Sequence, residues 1–255
     1  MSGRDAEMIS TAADNLIWQT AVGIAAQAGK ELPPAELEIE NHIPLGKGLG
    51  SSAAALTAGV VIADKLLGLR WPKKRVLDEA ARIEGHPDNV AACVHGSIVA
   101  SATDALGITH AVRMDLHPRF AIAVVVPVFL LPTVEARRVL PAMYSKEDAI
   151  FNVQRSSLLI TALATGNADA FPTALEDRMH QPYRAPLVPG LDRIIKLRTK
   201  GLLGCALSGA GPSILVFYER GYENVCQSVQ HIFAAHGKDS EVFLTELSLH
   251  GYEFV

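Results

Sequence analysis

Residues 43–56 read IPLGKGLGSSAAAL, with glycines at 46, 48 and 50 immediately ahead of strong helix-forming sequence. Any fold of this chain must accommodate that join. Upstream, Ala35, Leu37, Ile39 and Ile43 share one parity while Glu36, Glu38, Glu40 and His42 take the other, which predicts a half-buried strand over 35–43. Downstream, Ser52–Leu67 is apolar nearly all round, which predicts a helix buried in the middle of its domain and stopped by Gly68. The join is therefore a tight turn from a strand into a buried helix. Its glycines let the backbone amides of 46–52 converge on one point, where the helix adds the positive end of its dipole. Ser51 and Ser52 place hydroxyls there, Ala53–Ala55 let the helix sit close, and Lys47 adds a point charge. These residue types suit a phosphate cradle better than a turn without a ligand. A Walker A loop is excluded, because Asn41 stands where its first glycine belongs and Gly48 follows Lys47. Gly48-x-Gly50-x-x-Ala53 meets only the loose dinucleotide pattern, and the second strand ending in an acidic residue is missing.

The rest of the chain predicts a mixed architecture. Helices are expected over 15–28 (capped by Asp14 or Asn15), Lys73–Glu84, Thr133–Leu140, Lys146–Thr165, Asn167–Asp177, Leu191–Thr199 and Glu223–His236. HPDNVAA is a turn opening a short helix, with Asp88 or Asn89 as its cap. Strands are expected at GSIVASA, at FAIAVVVP, on both sides of a second glycine turn in LLGCALSGAGPSILVFY, and over Glu241–Leu247. A boundary falls near Asp115–Pro118, giving domains 1–117 and 118–255. With 49% hydrophobic and 20% charged residues, the 255-residue chain has the composition of a globular protein with a sizeable core. A net charge of −4 without a basic stripe argues against nucleic acid as a partner. No apolar run reaches the length of a membrane span, and no signal-peptide pattern opens the chain. Cys93, Cys205 and Cys226 are far apart and read as free thiols, so a cytoplasmic location is expected.

PLGKGLGSSAAAL resembles the ATP-binding signature of the GHMP kinases, Pro-x-x-x-Gly-Leu-Gly-Ser-Ser-Ala-Ala. LSGAGPSIL at 207–215 resembles that family's second glycine motif, and DNLIWQTA at 14–21 its adenine-side helix. EGHPDNVAACVHG at 84–96, PTVEARRVLP at 132–141 and HQPYRAPLVPG at 180–190 are similar to segments of the family's homoserine kinase branch. The resemblance runs along nearly the whole chain. It implies an α+β fold of two domains, each a mostly antiparallel sheet packed with helices, with ATP in the groove between them. It also allows a homodimer. Members of the branch open with a strand and a loop resembling Ser-Ala-Asn-Leu-Gly-Pro-Gly-Phe-Asp. No such segment precedes residue 35 here, so the N-terminal sheet is expected to be truncated at its start, with an exposed edge along 35–43.

The implied reaction is ATP-dependent phosphorylation of the hydroxyl of L-homoserine. Another small alcohol such as mevalonate, or a catalytically impaired nucleotide-binding homologue, is the alternative. The resemblance assigns Pro44, Leu45, Gly46, Lys47, Gly48, Leu49, Gly50, Ser51, Ser52, Ala53 and Ala54 to the ATP loop, with Gly209 and Gly211 bringing the second turn toward it and Asn15 reaching the adenine. Ser52 and Glu84 are the implied Mg²⁺ ligands, in keeping with the preference of that ion for one or two carboxylates plus phosphate oxygens. Asn89 is the implied contact to the reacting hydroxyl, flanked by His86 and Asp88. An amide cannot take a proton, so Asp88 is the alternative base. Arg137 and Arg184 match the branch's carboxylate-binding arginines, a role suited to the guanidinium fork, and Thr133 assists them.

Overall fold

The computed structural model describes residues 1–254, apart from the side chain of Thr133. The chain forms two compact units, and each is described by itself. One comprises Met1–Leu45, Gly50–Asp115 and Leu247–Val255; the other comprises Gly46–Leu49 and Leu116–Glu246.

The first unit contains strand β1 (Ser2–Gly3), helix α1 (Leu16–Gln27), strand β2 (Glu40–Asn41), helices α2 (Ser51–Leu67), α3 (Lys73–Glu84) and α4 (Asp88–His95), and strands β3 (Ile98–Thr103) and β4 (Thr109–Met114). Its core joins Ala21 and Ile24 of α1 to Ala53, Val60 and Ala63 of α2, Val76, Leu77 and Ala80 of α3, and Val90 and Val94 of α4. Gly59 sets the approach of α1 to α2: a Cβ there would stand 2.5 Å from both Ile17 O and Thr20 Cβ. The helix predicted over Ser52–Leu67 is thus central to its unit, and Gly68 ends it in the left-handed conformation at φ 62°.

Three expectations change here. The alternation over 35–43 survives as half-buried Leu37 and Ile39, but only Glu40–Asn41 joins a ladder, because a strand needs a partner of matching length. That partner is Ser2–Gly3, paired in parallel, with Ser2 N–H donating to Ile39 O at 2.9 Å. The expected bare edge is therefore partly covered by residues the pattern leaves unassigned. β3 pairs in antiparallel register with β4, from Ile98↔Met114 to Thr103↔Thr109, as a separate two-stranded ribbon. The units also depart from a single cut after residue 117. Leu247–Val255 belongs with the first unit, where Ser97 N–H donates to Ser248 O at 2.7 Å and Tyr252 N–H to Cys93 O at 2.8 Å.

The second unit contains β5 (Phe120–Pro127), α5 (Thr133–Arg138), α6 (Lys146–Thr165), α7 (Phe171–Ala174), α8 (Gln181–Arg184), α9 (Leu191–Ile194), β6 (Leu202–Leu207), β7 (Ile214–Glu219), α10 (Val225–Ala235) and β8 (Ser240–Thr245). The four strands form one antiparallel sheet in the order β6-β7-β5-β8. Ala123 and Val125 of β5 and Val216 of β7 share a core with Val229 and Phe233 of α10. Phe171 meets Phe120 edge-on at 5.1 Å and Phe217 at 5.5 Å. The helices predicted over Asn167–Asp177 and Leu191–Thr199 shrink to Phe171–Ala174, after a 3₁₀ turn at Ala168–Ala170, and to Leu191–Ile194. The first stops at Ala174, and Asp177 caps the turn that follows, its carboxylate accepting the N–H groups of Met179, His180 and Gln181.

The fit at Gly59 yields a stability prediction. Gly59→Val forces α1 and α2 apart and should lower the unfolding free energy by about 1–3 kcal/mol, the usual cost of overpacking. Urea denaturation measures it. An unchanged midpoint would show that the two helices separate freely.

Candidate active site

In the first unit, Gly50 caps α2 at φ 76°, a conformation that favours glycine, with no side-chain hydrogen bond to the cap. Ala54 N–H is bonded to Gly50 O at 3.0 Å, so the amides of Ser51, Ser52 and Ala53 open the helix without intrahelical acceptors. Ser52 Oγ donates to Glu84 Oε1 at 3.2 Å. Glu84 is the last residue of α3, and its side chain is only 10% exposed. Gly85 then turns the chain at φ 88° and brings back His86, Asp88 and Asn89. His86 Nε2 lies 4.0 Å from Glu84 Oε1, while its Nδ1 makes a short hydrogen bond with Asp88 Oδ1. A Cβ on Gly50 would stand 4.0 Å from Asn89 Cγ. Gly50, Ser52, Glu84, His86, Asp88 and Asn89 thus form one cluster at the start of α2.

Asp88 begins α4 instead of capping it, since Pro87 holds the cap position. The Asp88 carboxylate accepts the N–H of Asn89 at 3.1 Å and binds His86, which orients the turn. Asn15 is the cap of α1: its Oδ1 accepts Ile17 N–H at 3.0 Å and Trp18 N–H at 3.3 Å, and its Nδ2 donates to Ser10 O at 2.8 Å. Asn15, expected to reach an adenine, thus has its oxygen engaged by the helix end. Asn15 and Trp18 line a cavity of about 390 Å³ with Ser10, Thr11, Ala35 and Leu37 among its other walls. Pro44 is buried, and Leu45 N–H donates to Asp5 Oδ2 at 2.9 Å.

In the second unit, Gly46–Leu49 meets the second glycine turn. Ser208 Oγ donates to Gly48 O at 2.9 Å, and Ser213 N–H to Lys47 O at 3.3 Å. A Cβ on Gly48 (φ 74°) would lie 2.2 Å from Ser208 O and 2.8 Å from Gly211 N, so no other residue fits. A Cβ on Gly209 would be 3.1 Å from Gly48 O. Lys47 departs from its expected use as a point charge in the cradle. It is 7% exposed, and its Nζ donates to Pro127 O, Val128 O and Phe129 O at 2.8, 2.7 and 2.7 Å. Three carbonyls leaving the end of β5 draw the ammonium inward, because they match its three donors.

Arg184 is also buried, at 7% exposure. Its Nε donates to Ala136 O at 3.1 Å and its Nη1 to Gly209 O at 3.0 Å, which ties α5 to the glycine turn. Burial holds its pKa below the usual arginine value; Asp177 and Tyr144 oppose that shift, and the Arg137 charge adds to it. Two neighbouring guanidinium groups, one of them desolvated, favour an anion beside them. Arg137 itself is exposed on α5. The side chain of Thr133 lies outside the described residues. Burial works against the charge of Asp177, but Asn152 Nδ2 and the N–H groups of Gln181, Met179 and His180 outweigh it and hold the carboxyl below its usual range. The sequence reading omits Ser208, Asp177 and Gln181, whose Oε1 accepts Leu207 N–H at 2.9 Å. Ser208 precedes Gly209 and Gln181 precedes Pro182, which is their only signal, and Asp177, between Glu176 and Arg178, has none.

Residues 15–97 match the model of the GHMP kinases N terminal domain, and residues 159–234 that of the GHMP kinases C terminal domain. The chain is 63% identical to the homoserine kinase of Solibacter usitatus over 252 residues, 99% of this chain and 83% of the relative. It is 48% identical to the homoserine kinase of Deinococcus radiodurans, over 81% of this chain and 67% of that one. Among solved structures, the homoserine kinase of Cytophaga hutchinsonii superposes with a TM-score of 0.83 at 25% identity, covering 98% of this chain and 82% of that one. The Lactococcus lactis galactokinase, solved with galactose, shares the fold at a TM-score of 0.62 and 17% identity, covering 92% and 75% of the two chains. With an α+β architecture in two units, a glycine loop before a buried helix and a second glycine turn packed on that loop, the chain belongs to the GHMP kinase family, and its relatives make it a phosphotransferase. Within it, sequence and fold place the chain among the homoserine kinases.

Gly48→Ala tests the loop geometry. The added methyl forces the loop away from Ser208 and Gly211. Misplacement on the 1 Å scale should reduce ATP turnover about 100-fold in a chain that still melts cooperatively. Activity within twofold of the parent would show that the close approach is dispensable.

Proposed function

We propose that this chain transfers a phosphoryl group from ATP to the hydroxyl of L-homoserine. The observation that carries the reading is the Ser52–Glu84 pair at the start of α2, where no side chain caps the helix, beside Asn89. The names of its relatives supply the substrate. The donor set fits a magnesium nucleotide. A hydroxyl and a carboxylate are hard oxygen ligands, and the ion takes its remaining positions from water and phosphate. Among the described residues no three His, Cys, Asp or Glu side chains are grouped to hold a metal by themselves. When bound, Mg-ATP supplies the phosphoryl group and neutralises its developing charge.

The protein's own part is positioning. The amides of Gly46–Ser52 hold the phosphates, with the first helical turn of α2 contributing its dipole. Ser52 Oγ and the Glu84 carboxylate hold the cation. Asn89 orients the reacting hydroxyl without accepting its proton. Asp88, with Oδ1 shared between His86 and Asn89 N–H, is the candidate base. Arg137 and Arg184 hold the substrate carboxylate, Arg184 through donors beyond the two it gives to carbonyls. The cavity beside Asn15 and Trp18 receives the base, a size in the range of small-ligand clefts. The free cysteines suit the reducing conditions of a cytoplasmic enzyme.

The test is ADP release from Mg-ATP with and without L-homoserine, with O-phosphohomoserine identified by mass. Homoserine-dependent release is expected, and release indifferent to homoserine overturns the reading. Arg137→Ala removes one charge-assisted contact worth about 1.5–3 kcal/mol. KM for homoserine should rise about 10- to 100-fold while KM for ATP stays within twofold. Equal effects on both would remove Arg137 from the carboxylate site.

A further inference from the structure

A closed circuit of contacts runs through the second unit. Lys47 Nζ donates to the carbonyls of 127, 128 and 129. Two residues on, Leu131 is anchored in the core, and Pro132 then caps α5. α5 carries Arg137, and its Ala136 O is held by Arg184 Nε. Arg184 Nη1 reaches Gly209 O, and Ser208 Oγ returns to Gly48 O, one residue from Lys47. The loop assigned to the phosphates and the helix assigned to the substrate carboxylate are therefore tied at both ends. On one side the tie is Lys47, and on the other it is Arg184 with the glycine turn.

We propose that Lys47 is a positioning residue that couples the two substrates, so that occupation of the loop preorganises Arg137 and homoserine strengthens nucleotide binding in return. This rests on the function proposed above. Three features support it. The ammonium is buried, so it does not serve as a solvent-facing charge for a ligand. Its three acceptors are consecutive, so a shift of the loop is transmitted to the backbone as a unit. The carbonyls also lead within a few residues into α5 without an intervening long loop. Energetic coupling of this kind is reciprocal, and a factor of about 5 or more is the usual scale.

The experiment measures Kd by calorimetry for a non-hydrolysable ATP analogue alone and with saturating L-homoserine, and for L-homoserine alone and with saturating analogue. The parent should show mutual tightening of about fivefold or more. Lys47→Met should reduce that factor to about one while each single affinity changes less than the coupling does. Lys47→Arg keeps the charge but replaces the compact ammonium with a planar fork whose donors do not converge on three consecutive carbonyls, so a reduced factor is expected there even if Lys47→Met does not fold. A parent that binds both ligands without tightening, or variants that keep the full factor, overturns the role of Lys47 and leaves the kinase reading intact. A Lys47→Met chain that loses analogue affinity while retaining the factor makes Lys47 a direct phosphate ligand and also overturns the proposal. A parent that binds the analogue but never homoserine instead overturns the substrate assignment.

Discussion

Three left-handed glycines within five residues, at φ 65°, 74° and 76° for Gly46, Gly48 and Gly50, are the constraint from which the rest of the structure follows. Side chains at these positions would be strained in the backbone, and at Gly48 would collide with Ser208 and Gly211. The turn they create serves two purposes. It starts α2 with three amides lacking intrahelical acceptors, and it lays residues 46–49 against the second glycine turn within their own unit. A phosphate answers both the free donors and the dipole of such a helix start.

Buried charge is handled in a consistent way around that turn. Lys47 and Arg184 are both 7% exposed, and the hydrogen bonds described for both run to backbone carbonyls. A desolvated cation is costly unless its donors are matched, whereas a matched hydrogen bond from a charged donor contributes about 1.5–3 kcal/mol. Carbonyl dipoles satisfy the donors without cancelling the net charge. These bonds tie the glycine loop and α5 to one backbone framework.

The helices were readable wherever their signals were local. α1 has its asparagine cap, α2 its apolar surface and terminal glycine, and α6 its serine cap, with Ser145 Oγ accepting Asp148 N–H at 3.0 Å. The pairing of strands was less legible. β4 (THAVRM) exposes Val112 and carries His110 and Arg113, because a two-stranded ribbon buries too little to impose a clean alternation. β1 is two residues long and exists only through its ladder with β2. At the site, Glu84, His86, Asp88 and Asn89 come together through chain proximity, by a helix end, a glycine and a turn, whereas Ser52 joins them across 32 residues by the packing of α2 on α3. The tasks of Lys47 and Arg184 were not legible. Both donate to backbone carbonyls in distant parts of the chain, and backbone acceptors leave no mark in a sequence.

The reassignment of Lys47 changes how the loop should be understood. A lysine among glycines beside a helix start suggests a phosphate clamp, and charge alone would support that. Burial and stoichiometry argue otherwise: an ammonium has three donors, and three carbonyls at 2.7–2.8 Å engage them. Drawing Nζ back to a phosphate would break bonds already made and leave carbonyls unpaired in a desolvated place, so the exchange gains little. Holding the loop fixed costs nothing further at the moment of reaction. In phosphoryl transfer, where geometry and electrostatics supply most of the catalysis, a charge spent on fixing the backbone is as useful as one spent on the ligand.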